Sequence, residues 1–147
     1  PSHTFNTGFH WSSTMAHYLT NLPAFLLWWG IGAALLAIFG ALYVAITPLN
    51  ELKLIRAGNV SVSIIFSGAL LGYVLPVASA IIHGVDIIDL ALWGFIAMLV
   101  QCVVYLALRL LVPRLNEELI ADNRAVALMG ATICVVAGIL NAAAMSY

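Results

Sequence analysis

The sequence predicts an all-α, four-transmembrane-helix bundle made of two tandem helical hairpins, with short amphipathic connecting helices on one side. Three observations predict it. Four apolar stretches, Pro23 to Ile46, Val60 to His83, Leu90 to Val112 and Ala125 to Met145, occupy most of the 147 residues. At a rise of about 1.5 Å per residue, each can cross a hydrocarbon core roughly 30 Å thick. The chain is 64% hydrophobic and 7% charged, against about 25% charged in a typical soluble domain. Finally, the order span, Pro, short polar stretch, Asn, span occurs twice along the chain.

Residues 1–22 form a tail rich in aromatics and hydroxyls, including Phe5, Phe9, Trp11 and Tyr18. This is interfacial composition, and Trp28 and Trp29 extend the same aromatic belt. A short helix on the outer surface and a disordered tail are the two readings open here. Residues 23–147 are expected to form the transmembrane domain, with repeat one at 23–83 and repeat two at 90–147.

The connections give the orientation. Lys53 and Arg56 lie between spans one and two, and Arg109, Arg114 and Arg124 flank the connection between spans three and four. Lys and Arg collect in cytoplasmic loops, so both connections are placed in the cytoplasm and both termini outside. Pro48 and Pro113 suit the first position of a short surface helix, where a missing N–H costs nothing; the other reading is that they kink longer helices. Leu52 with Ile55, and Leu115 with Leu119, put apolar residues on one helical face. Gly58 can end the first short helix and Asn59 can cap span two. Asp122 or Asn123 can cap span four, and Asp86 or Asp89 can cap span three after an exit at His83-Gly84.

The repeat is carried by residues in the connections. Pro48, Asn50-Glu51, Leu54-Ile55 and Asn59 are matched by Pro113, Asn116-Glu117, Leu119-Ile120 and Asn123. Two spans per unit give a parallel repeat.

Motifs from Ile46 onward carry a family resemblance. Ile46-Thr47-Pro48 with Asn50-Glu51, Phe66-Ser67-Gly68, Leu71-Gly72-Tyr73-Val74 with Pro76, Trp93-Gly94, Gln101, Arg109-Leu110 with Pro113, and Gly138-Ile139 with Asn141-Ala142-Ala143 are the residues concerned. From Ile46 to Tyr147 the chain resembles the bacterial inner-membrane proteins of the YjfL type, built on domain of unknown function 350. Span one matches in character only, and the tail before Pro23 lies outside the motifs. The resemblance implies a four-span protein of the bacterial inner membrane, with both termini then periplasmic. It carries over no activity and no functional residue.

Small residues mark the spans. Ala33, Ala37, Ala41 and Ala45 recur at fourfold spacing, Gly68 and Gly72 form a GxxxG pair, and Gly94, Gly130 and Gly138 continue the pattern. Such stripes let helix backbones approach closely, within one bundle or between subunits. Three polar residues lie within spans: Tyr73, Gln101 and Asn141. They can act as packing groups or line a polar path. Pro76 frees a backbone carbonyl that Ser79 or Asn141 could answer.

Several functions are disfavoured. His3, His10 and His17 share a helical face but are about 10.5 Å apart in sequence, too far for one metal. Cys102 and Cys134 fall in mid-span and read as small apolar filler. No Asp, Glu or Lys lies deep in a span, as proton-coupled carriers need. There is no phosphate-binding loop and no nucleophile beside a base. No cofactor, metal or nucleic acid is expected. The partners expected are the lipid bilayer, other membrane subunits and copies of the chain itself. The leading expectation is a non-enzymatic accessory or assembly subunit, or a homo-oligomer in envelope maintenance, acting through helix contacts. The alternative is a passive channel or small-solute transporter formed by an oligomer.

Overall fold

The structure is a computed structural model that describes residues 11–145, with side chains from Tyr18 onward. His3, His10, the side chain of His17 and most of the tail lie outside the described residues. Among those described there are six helices and no strand. They are α1 (Trp11–Ile46), α2 (Glu51–Arg56), α3 (Val60–His83), α4 (Ile87–Leu111), α5 (Leu115–Ile120) and α6 (Arg124–Ala144). The stretches Tyr18–Ile46, Val60–His83, Ile87–Leu111 and Arg124–Ala144 are long and apolar enough to cross a membrane.

α1 differs from the expectation at its start. It begins at Trp11 and runs through Pro23 without ending. A proline removes one intrahelical bond and crowds the preceding turn, but the surrounding residues continue the helix on both sides. Its 36 residues make a rod about 54 Å long, well beyond one hydrocarbon thickness. Its buried positions, Gly32, Phe39 and Tyr43, recur near the helical period. Phe39 stacks on Tyr73 of α3 at 4.3 Å, and Tyr43 meets Phe66 at 5.4 Å and Tyr105 at 5.9 Å. Aromatic faces bury more area than alanines do, so the aromatic stripe turns inward.

α3 is the centre of the bundle. Half of its most apolar window is buried, against 6% for α1. It touches α1, α4 and α6. α3 and α6 run parallel: Gly68 meets Ala131, Gly72 meets Cys134, and the Ser79 hydroxyl donates to the Ala142 carbonyl at 3.0 Å.

The caps follow the sequence. Asn59, Asp86 and Asn123 each accept the N–H three residues on, from Val62, Asp89 and Val126. Each satisfies one of the donors a helix start leaves free. The prolines do not sit where expected. α2 starts at Glu51 and α5 at Leu115, so Pro48 and Pro113 lie in the bends before them. A residue preceding proline is pushed to extended backbone, which ends α1 and α4 first. The inward residues of α2 are Glu51, Leu54 and Ile55, whereas Leu52 is exposed.

The exits from α2 and α5 are built alike. Gly58 N–H donates to Ile55 O and Asn59 N–H to Leu54 O; Asp122 N–H donates to Leu119 O and Asn123 N–H to Glu118 O. Gly58 and Asp122 both have positive φ, 90° and 58°. This is the left-handed residue that closes a helix C-terminus, favoured by Gly and tolerated by Asp. The two turns are tied together, because Ser61 N–H donates to Asp122 Oδ1 at 2.7 Å and Asn59 Nδ2 to Leu119 O at 2.9 Å.

Candidate functional site

The seam between α3 and α6 sets the geometry of the interior. A Cβ on Gly68 would overlap the backbone of Ala131, and one on Gly72 would overlap the Cys134 carbonyl. Pro76 has no N–H to give the Gly72 carbonyl its helical bond. That oxygen instead faces Gly138, whose Cα–H points onto it where a Cβ would clash. A Cα–H···O contact is weak, but here it answers a carbonyl that neither Ser79 nor Asn141 reaches. Gly130 receives Ile65, and Gly94 receives Leu35 of α1. Ala33, Ala37 and Ala41 take no part in this packing; all three face outward, as does Ala45.

Two of the three span polar residues bond backbone carbonyls inside the bundle. The Tyr73 hydroxyl donates to the Gly94 carbonyl at 3.2 Å, and Gln101 Nε2 donates to the Cys134 carbonyl at 3.1 Å beside Gly72. Both side chains are fully inside the bundle. Asn141 is half-buried, its Nδ2 has no partner, and no hydrogen bond joins it to the other two. Cys102 and Cys134 are free thiols. Among the described residues, no group of three His, Cys, Asp or Glu side chains is placed to hold a metal ion.

The connection α2 contributes a group that span-by-span reading missed. Glu51 is 1% exposed, though it lies outside every span. Thr47 Oγ1 contacts its Oε1, while Oε2 is buried with no partner. Burial pushes the Glu51 carboxyl above its ordinary range, and its own backbone N–H pulls the other way. Glu51 is also in electrostatic reach of Tyr43 and Tyr105.

A cavity of ≈ 40 Å³ opens on the other side of Thr47, lined also by Phe39, Tyr43, Gln101, Cys102 and Tyr105. One water needs about 10–15 Å³ in this measure, so there is room for about three. Two buried polar atoms on its lining residues have no partner: Gln101 Oε1 and the Tyr105 hydroxyl. Unpaired buried polar atoms are costly, and water is their usual remedy. Charge pairing separates Glu51 from Glu117, the other carboxylate that follows an Asn. Glu117 has Arg114 three residues before it and pairs with it at 2.5 Å. Glu51 has no cation at helical spacing, only Thr47 one turn before and Ile55 one turn after.

Comparison with known proteins places this architecture. The model of the Domain of Unknown Function (DUF350) matches residues 17–145. The chain belongs to the DUF350 family. It is 43% identical over 131 residues to the UPF0719 inner membrane protein YjfL of Escherichia coli (strain K12), covering 89% of this chain and 99% of that protein. The same protein of Escherichia coli O157:H7 matches to the same extent. No solved structure gives a significant match. The family match includes α1 from residue 17, so the first span belongs to the family domain and is more than an apolar lead-in.

Proposed function

We propose that this DUF350 protein is a non-enzymatic, multi-pass protein of the bacterial inner membrane that acts through helix contacts. It serves as an accessory or assembly subunit of a larger complex, or as a homo-oligomer in envelope maintenance. The observation that carries this reading is α1. The helix is almost unburied in its own chain, and its small residues Ala33, Ala37 and Ala41 face outward. Lipid would cover an apolar helix of any shape. A line of small residues suits a neighbouring helix, because it lets two backbones approach. A second outward surface suits the same role, a groove of ≈ 450 Å³ between α3 and α6 that includes Ser67, Leu71, Thr132 and Val136.

The finer architecture belongs to the same proposal. The matched turns after α2 and α5 support a tandem repeat of two hairpins. The inward residues of the short helices support their lying at the membrane surface with one apolar face down. The inner-membrane relatives and the basic connections support α2 and α5 in the cytoplasm and both termini in the periplasm. The channel reading has less support, because Tyr73 and Gln101 bond within the bundle.

The test is assembly size in mild detergent, read by light scattering on wild type and on the pair Ala37→Leu and Ala41→Leu combined. Both positions are exposed, so the monomer should fold and the assembly should shrink. An unchanged assembly with unchanged partners would remove α1 as the contact helix.

A further inference from the structure

Glu51, Thr47 and the Tyr43 carbonyl form a chain of oxygens. Thr47 Oγ1 contacts Glu51 Oε1 and also lies 2.8 Å from the Tyr43 carbonyl. A threonine hydroxyl carries one proton and can donate to one acceptor at a time. An ionised Glu51 adds no proton, so one of the two contacts would then be acceptor against acceptor. A protonated Glu51 donates to Thr47, and Thr47 donates onward to Tyr43.

We propose that Glu51 is a proton-binding site, with its acid form locked to Thr47. The inference is independent of the helix-contact reading. Three features support it besides the proton count. The carboxyl is buried with no counter-charge. The ion pairs among the described residues are Arg114 with Glu117 and Arg124 with Asp122, and neither includes Glu51. The second carboxyl oxygen, Oε2, is buried with no partner, which a charged carboxylate bears at greater cost than a neutral acid. The other short helix places Leu115, 2% exposed, at its own first position. Packing there is met by a leucine, so a carboxyl at the first position of α2 brings something that packing does not require.

The charged and titratable groups around it are few. Tyr43 faces it from α1, and Tyr105, with Arg109 near it, from α4. Lys53 and Arg56 belong to α2 itself and are exposed. Proton uptake is the simple addition of one proton from bulk water to the carboxylate, with no other bond made or broken. Release leaves an ionised group in a buried position, and it forces Thr47 to choose between its two acceptors. The hold of α2 on the end of α1 then loosens.

Infrared spectroscopy of the purified full-length protein tests this through the C=O band of a protonated carboxyl, followed as the pH is raised from acid, in choline chloride. Wild type should keep a band after its exposed carboxylates have ionised, Glu51→Gln should lose it, and Glu117→Gln should keep it. Thr47→Val leaves Glu51 in place and should shift the band, because the acid form loses its partner; this variant serves if Glu51→Gln does not fold. Superimposable spectra of wild type and Glu51→Gln would overturn the proposal. So would a wild-type band that disappears when sodium or potassium replaces choline, which would make the occupant a metal cation. An unmoved band in Thr47→Val would overturn the lock to Thr47.

Discussion

α2 and α5 are two versions of one device. Each has six residues, each follows a proline bend, and each leads into the next span through a left-handed residue and an Asn cap. Each buries its first residue. In α5 that residue is Leu115, and in α2 it is Glu51. By sequence pattern alone Glu51 pairs with Glu117, since both follow an Asn. The turn geometry sets a different register. Counting back from Asn59 and Asn123, Glu51 stands where Leu115 stands, and Glu117 stands where Lys53 stands. Glu117 is exposed and ion-paired with Arg114. The lesson is that residue type repeats more loosely than backbone. A shared Asn-Glu pair suggested equivalent carboxylates, while the fold gives one to solvent and the other to the interior.

The largest effect should come from making α5 imitate α2. Leu115→Glu puts a carboxyl into a buried position with Val112-Pro113 before it and no Thr at the spacing Thr47 has from Glu51. An uncompensated buried charge costs about 3–5 kcal/mol. The variant should lose folded yield and melt well below wild type in detergent. Near-wild-type stability would show that the first position of either short helix accepts a carboxyl, and the contrast with Glu51 would lose its meaning.

A smaller effect should come from the seam that joins the two halves. Gly138→Ala places a methyl on the Gly72 carbonyl, which lies on the α3 side of the contact. Overpacking of this kind costs about 1–3 kcal/mol. Ala37→Leu, on the exposed face of α1, should stay within about 0.5 kcal/mol in the isolated chain. Thermal melting of both in one detergent checks the pair. Equal losses would mean that α1 is packed as tightly as the α3–α6 seam.

Much of the fold was legible because its signals are local. Apolar length gave the four spans, and Asn59, Asp86 and Asn123 gave the caps, since an N-cap needs only its own side chain and the N–H three residues on. The rest depended on choices that sequence spacing does not make. On α1, Gly32, Phe39 and Tyr43 compete with the alanine stripe at almost the same period, and only the partners Tyr73, Phe66 and Tyr105 on other helices decide which face turns in. Pro23 stood at the start of span one because the residues before it are rich in hydroxyls and aromatics, yet α1 runs through it and absorbs one missing bond. Glu51 was hidden for a different reason. A helix of six residues has less than two turns, too few for a period to declare a buried face. Tyr73 and Gln101 were visible as polar residues in apolar spans; that both would bond backbone carbonyls inside the same chain was not.

The smallest effect is the one that separates the two connections most sharply. Glu51 has its carboxyl raised above the ordinary 4.5 by burial, so in the window between 4.5 and the raised value the folded state holds a proton that the unfolded state has lost. Stability therefore falls as pH rises through that window. The contribution is complete below 4.5 and gone once the pH passes the raised value. Asp122 acts in the opposite sense. The Ser61 N–H holds its carboxyl below the ordinary 3.8, so its contribution is lost only in more acidic solution, below that range. Melting temperature should thus be followed upward from about pH 5, in wild type and in Glu51→Leu, which gives α2 the residue that α5 has. Groups common to both chains cancel in the difference. Wild type should lose stability relative to the variant as pH rises, and the gap should close toward acid. Parallel curves would mean that Glu51 titrates as an ordinary exposed carboxylate, and that its burial beside Thr47 has no bearing on its proton.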